Sequence, residues 1–310
     1  MSLRFGDLMT VRQYSFGNGV GFVLLATLGW SLSGLFVRVM PGLTGWQLNC
    51  WRGFWMAVAL LCYLVALYGR DTLHKFTGIP APALILSAVC FAMGTTFYVT
   101  SLTLVGTSTV SVIGATSPLF AGLLSHWITG EKPSALAWFS AVMALGGMTI
   151  IARNGFEQGE MLGLLLCLGV PITFALQTLL LRRYRTLDMM PAICVGGFLS
   201  FIVAGFFSVF DGGDASAFTI DMHAFLLLMV MGPVQLAIPL IFYGLGARSV
   251  TGVTLALISM LDAVINPFWP WLFVGEIPER SSFIGGGIIL LAVFLSVIGS
   301  QVLVWQKQPA

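Results

Sequence analysis

Two charges stand inside long apolar stretches of this chain, Arg52 within Asn49-Cys50-Trp51-Arg52 and Asp262 within Met260-Leu261-Asp262-Ala263. Neither sits in a motif for covalent chemistry. There is no H-E-x-x-H, no G-x-S-x-G and no Walker A loop, so zinc proteolysis, serine hydrolysis and direct ATP use lack their groups. His74, His126 and His223 are too scattered to suggest a metal site. The cysteines at 50, 62, 90, 167 and 194 form no C-x-x-C and read as small buried apolar residues. The expectation is no catalytic residue, no metal and no cofactor. What remains is noncovalent recognition: a guanidinium suits a carboxylate, and a carboxylate suits an ammonium or a proton.

Both charges have a second reading. Arg52 and Asp262 could pair with each other and pin the chain together, and Arg52 could cap neighbouring carbonyls. Polar side chains at similar depth extend the candidate set to Trp30, Tyr98, Ser117, Gln177, Gln235, Tyr243 and Asn266. A buried amide or hydroxyl is costly in an apolar medium, and a solvated cavity relieves that cost. Pro118 and Pro267 fall inside apolar runs, where a missing N–H weakens the helix, and are expected to be structural or gating positions beside Arg52.

The elements that carry these residues follow from composition. Of 310 residues, 58% are hydrophobic and 8% charged, against about 25% charged in a soluble domain. So few charges cannot cover a water-soluble globule, and a net charge of +2 gives nucleic acid no electrostatic footprint. The expected medium is a lipid bilayer. Ten runs suit helical spans: 18–39, 44–68, 80–103, 107–129, 134–152, 160–181, 191–210, 222–247, 250–274 and 281–304. With the N-terminus inside, ten Lys and Arg fall in inner segments and only Arg38, Arg153 and Arg280 in outer ones, which predicts both termini cytoplasmic. Trp46, Trp138 and Trp305, at span ends, are expected in an interfacial belt.

The chain also repeats. At an offset of 145, Phe97-Tyr98 meets Phe242-Tyr243, Ile113 meets Ile258, and Gly130-Glu131-x-Pro133 meets Gly275-Glu276-x-Pro278. Five helices per copy force the second copy to enter the membrane upside down, the architecture of alternating-access carriers with a site near the midplane. The expected fold is an all-α integral membrane protein of ten transmembrane helices, arranged as two inverted five-helix repeats around a central cavity. Residues 1–16 form an N-terminal segment, 17–152 and 153–304 the two repeats, and 305–310 a tail. The proline-containing helices four, six, eight and nine should surround the cavity. Helices five and ten, with Gly146-Gly147 and Gly285-Gly286-Gly287, should supply close-packing surfaces within the monomer or a homodimer contact.

Gly29-Trp30, Arg52, the segment from Phe97 to Ile151 with Pro118 and Gly130-Glu131, and its echo from Phe242 to Gly299 together resemble the EamA-type ten-helix exporters of the drug/metabolite transporter superfamily. Within them the pattern is most similar to bacterial aromatic amino acid exporters. The resemblance implies an inner-membrane secondary carrier that exports amino acids, aromatic ones above all, by alternating access. A broad exporter of drug-like amines or other small metabolites is the alternative. Asp262-Ala263 departs from the pattern by standing where the first half has Ser117-Pro118, with Pro267 and Pro270 following, so the two halves are expected to bend differently.

Overall fold

The computed structural model describes residues 14–40, 43–104, 110, 113–152, 161–212, 218, 220–265, 268–275 and 280–306. Among them there is no strand. The first half contains α1 (Phe16–Ser31), its continuation α2 (Ser33–Arg38), α3 (Gly45–Tyr68), α4 (Ala81–Leu104), α5 (Ser117–Ile128) and α6 (Ala135–Ala152). The second contains α7 (Met161–Arg183), α8 (Met190–Gly212), α9 (Met222–Met231), a π-helical segment over Gly232–Ala237, α10 (Ile238–Gly246), α11 (Gly252–Ser259), α12 (Leu261–Ile265), α13 (Phe268–Val274) and α14 (Arg280–Gln306). Among the described residues, five helical stretches are long and apolar enough to cross a membrane: Gly45–Thr77, Ala81–Tyr98, Leu165–Arg183, Met190–Val209 and Met222–Gly246. Phe16–Ser31, Ala135–Ile150 and Phe283–Gly299 are shorter apolar helices. Leu165, Phe206, Phe283 and Phe294 point outward and exposed, as side chains that face lipid must.

Several expected runs are not continuous helices, and local chemistry says why. The first breaks at Leu32, where the Ser31 hydroxyl donates to the Leu28 carbonyl and competes with the backbone ladder. The fourth turns at Ala115-Thr116 and restarts at Ser117, with Pro118 in the first turn of α5, where its missing N–H costs nothing. The ninth turns at Met260, the position equivalent to Ala115 at the 145-residue offset. This break occurs although Ala263 replaces the proline. In the eighth, the π segment lies between Met231 and Ile238, with Pro233 inside it and Pro239 just beyond. Gly130 and Gly275, the paired glycines of the G-E-x-P repeats, both adopt positive φ, +72° and +78°, as residues that close a helix do.

Packing follows the repeat. α3 packs against α8 and α6 against α14, helices that the 145-residue offset relates, and α5 packs against α11. Other main contacts come in couples related by the offset: α4 with α7 and α1 with α10; α4 with α8 and α3 with the π segment; α5 with α7 and α1 with α12. α6 and α14 approach closely because Gly147 has no side chain: a Cβ there would lie 2.7 Å from the Gly285 carbonyl and 2.9 Å from Ile289. These glycines therefore pack within one chain. Gly146 and Gly287 have open space around them.

Two minor expectations are corrected. Trp46 is buried and stacked on Phe207 at 5.7 Å, because α8 covers it, so it is not a belt residue facing lipid. Cys62 is exposed, whereas Cys50, Cys90, Cys167 and Cys194 are buried.

Candidate functional site

Three aromatic rings meet where α1, α7 and α10 converge. Trp30 lies tilted against Tyr243 with centroids 5.0 Å apart and edge-on to Phe174 at 6.3 Å, and Phe174 reaches Tyr243 at 6.1 Å. Tyr243 is 2% exposed, and its hydroxyl shares a 2.8 Å hydrogen bond with Thr178. Gln235, on the π segment, donates from Nε2 to the Trp30 carbonyl at 3.3 Å. Its Oε1 is buried without a partner. π turns recur at functional sites because they redirect side chains that a regular helix would present elsewhere.

Arg52 projects from α3 into a polar cluster shared with α4 and α8. Its Nη2 donates to Asn49 Oδ1 at 3.4 Å, Asn49 Nδ2 donates to Ser200 Oγ at 3.3 Å, and Ser200 shares a 3.0 Å bond with Thr95. Arg52 is 8% exposed, and its Nε has no partner. Asp262, half-buried at the start of α12, likewise keeps Oδ1 buried and unpartnered. The two charges do not pair with each other. Thr96, two positions before Tyr98, also has a buried unpartnered hydroxyl.

One end of the bundle is closed by polar contacts. Arg182, at the end of α7, donates from Nε to Glu131 Oε1 at 2.7 Å and from Nη1 to the Ala247 carbonyl at 3.1 Å. Arg183 donates to the Ile128 carbonyl. Ser249 reaches back to the Tyr14 carbonyl at 2.8 Å, and Tyr68 donates to Asp188 at 2.8 Å. These bonds join the connection after α5 to the ends of α7 and α10, and the start of α1 to the turn after α10. Nearer the opposite end, Tyr98 is 40% exposed, although it is the repeat equivalent of the fully covered Tyr243.

Of the residues expected from sequence, Trp30, Gln235 and Tyr243 come together, whereas Arg52, Tyr98 and Asp262 lie on α3, α4 and α12. Gln177 is occupied: Ser87 lies 2.9 Å from its Nε2 and 3.2 Å from its Oε1. Ser117 and Pro118 are buried at the restart of α5. Asn266 and Pro267 lie outside the described residues. Trp269 beyond them donates to Ser31 Oγ at 2.7 Å, tying α13 to α1. Sequence reasoning missed Phe174 and the Glu131–Arg182 pair. Phe174 shares a helical face with Gln177 and Thr178, and that spacing was the available signal.

Residues 17–153 match the EamA-like transporter family. The S-adenosylmethionine uptake transporter of Rickettsia bellii is 24% identical over 298 residues, spanning 94% of this chain and 96% of its own length. The pseudopaline exporter CntI of Pseudomonas aeruginosa is 22% identical over 215 residues, 68% of this chain and 73% of that protein. A solved crystal structure shares the fold with a TM-score of 0.78 at 15% identity, covering 93% of this chain and 99% of its own. The names of these relatives refer to substrates other than aromatic amino acids. The match to an EamA-like unit covers residues 17–153, and the likeness to proteins named as transporters extends over 94% of the chain.

Proposed function

We propose that this protein is a secondary carrier of the inner membrane that exports amino acids by alternating access between two inverted repeats. The observation that carries the reading is the contrast between Tyr98 and Tyr243. Equivalent residues of two like halves have opposite exposure, 40% and 2%. A channel of fixed symmetry would treat them alike; a carrier resting with one mouth shut treats them differently. Trp30, Phe174 and Tyr243 make an aromatic cluster suited to an aromatic side chain. CntI supports the export direction by its name, whereas the S-adenosylmethionine transporter is named for uptake and supports a substrate bearing an amino acid group.

Counterflow from proteoliposomes loaded with labelled Phe, Tyr or Trp tests the proposal. Saturable exchange of these solutes is expected. Exchange of cationic dyes without any amino acid flux overturns it in favour of a broad exporter of drug-like amines, the second reading, which the unpaired carboxylate of Asp262 favours on its own.

A further inference from the structure

We infer that the recess between the ends of α5 and α7 binds one anionic phospholipid of the adjoining leaflet, with the lipid phosphate on Arg183 and Arg185 and an acyl chain along the face of α5 that carries Leu123 and Trp127. The inference goes beyond the carrier reading and needs only that the protein lies in a bilayer.

The recess holds about 460 Å³, the size of a small-molecule site. Ile128, Thr129 and Glu131 line it from the end of α5 and the connection after it, and residues 182–185 line it from the end of α7 and just beyond. Three arginines fall within these four positions, and the one acid facing them is taken. Arg182 holds Glu131 at 2.7 Å and also bonds the Ala247 carbonyl. Asp188, three positions past Arg185, accepts from the Tyr68 hydroxyl at 2.8 Å and from the Met190 N–H at 3.0 Å. Arg183 is exposed and spends one N–H on the Ile128 carbonyl, which leaves further donors of its fork. Arg185 is exposed and has no hydrogen bond or ion pair among the described residues. The lining therefore sets three guanidinium groups against one carboxylate. Like charges crowded this way repel. A phosphate relieves the repulsion and offers oxygens to both remaining forks. Basic recesses between helices at a membrane surface take lipid head groups on these terms.

The adjoining surface of α5 suits the rest of a lipid. Leu123 and Trp127 lie one turn apart on one face, and both are exposed, Trp127 by 77%. Trp127 directly precedes the lining residues Ile128 and Thr129. An indole at the end of a span sits at the head-group level, with its apolar body toward the acyl chains. A soluble phosphate would use the arginines and leave this face idle; an anionic lipid uses both. Bound beside the Arg182–Glu131 pair, it adds a tie between α5 and α7.

Native mass spectrometry of the full-length protein, delipidated in detergent, tests the site by counting retained lipid. The protein is titrated with phosphatidylglycerol, phosphatidylcholine and glycerol phosphate in about 0.15 M ammonium acetate, where distant surface charges are screened. One phosphatidylglycerol should bind at least about tenfold more tightly than phosphatidylcholine or glycerol phosphate. Arg185→Gln should weaken it about fivefold, and Arg183→Gln with Arg185→Gln about twenty-fivefold. Arg70→Gln removes an exposed charge from the same end of the bundle, outside the recess, and should stay within about twofold of wild type. Arg183→Lys with Arg185→Lys keeps the charge and should keep the preference for phosphatidylglycerol. Melting temperatures without lipid check the fold, and Arg185→Gln, which breaks no bond, should not move its value. Equal binding of the two lipids overturns the site, as does an equal loss in Arg70→Gln and Arg185→Gln, or unchanged binding in the double Gln variant. Glycerol phosphate bound as tightly as the lipid would assign the recess to a soluble phosphate and overturn the lipid assignment. Transport is not read, so each outcome leaves the carrier reading where it stood.

Discussion

Tyr98 and Tyr243 show how position decides what a side chain does. Tyr243 is buried, and its hydroxyl is bonded to Thr178 at 2.8 Å. Removing that hydroxyl by Tyr243→Phe leaves Thr178 with its bond to the Phe174 carbonyl alone. The loss should be about 1 kcal/mol, read as a lower melting temperature in detergent. Tyr98 is exposed, so on the carrier reading Tyr98→Phe should leave the melting temperature nearly unchanged and raise the half-saturation concentration for amino acid counterflow about three- to tenfold. Equal thermal effects of the two substitutions would remove the distinction drawn here. The importance of Arg52 and Asp262 was legible in sequence because an ionisable residue within a span is expensive enough to need a reason. The partners of Gln177 and Arg182 were not. Ser87 lies 90 residues from Gln177, and Glu131 lies 51 from Arg182, so no local pattern connects them.

At the scale of elements, the contact between α6 and α14 sets a sharp size limit. A Cβ at Gly147 would come within 2.7 Å of a backbone carbonyl, which cannot swing away as a flexible side chain can. Gly147→Val should therefore destabilise the protein by about 1–3 kcal/mol through overpacking. Gly146→Ala, with open space around it, should leave the melting temperature unchanged. If the two behave alike, the contact is looser than these distances require. The glycine runs marked this seam in the sequence, and the coordinates add which glycine of each run faces the partner. Helix interruptions were less legible. Pro118 announced the restart of α5, but the turn at Met260 has no proline at the equivalent place and follows the geometry of the repeat instead. Trp30 pointed to α1 in the sequence, but the packing of α1 against α10 and α11 was hidden, because it is a contact between distant segments.

For the whole molecule, the two tiers at the closed end define what must break for the carrier to turn over. The inner tier is the aromatic contact of Trp30, Phe174 and Tyr243; the outer tier is Arg182 with Glu131 and the Ala247 carbonyl. The ion pair is 9% exposed on the arginine side and 29% on the glutamate side, so water screens it only partly. Its second bond, to Ala247, makes α7 the strap between the end of α5 and the end of α10. Arg182→Gln keeps a long polar side chain but removes the charge and the planar fork that serves both acceptors at once. On the alternating-access reading proposed above, that loss, about 1–3 kcal/mol, falls on the state in which these contacts form. Hydrogen exchange should then quicken in segments 128–133 and 245–251, by about ten- to a hundredfold if opening is the rate-setting event. The α6 and α14 seam, remote from the strap, should exchange as before. Faster exchange throughout the chain would mark a general loss of stability, and unchanged exchange at 245–251 would show that the aromatic tier alone holds the mouth shut.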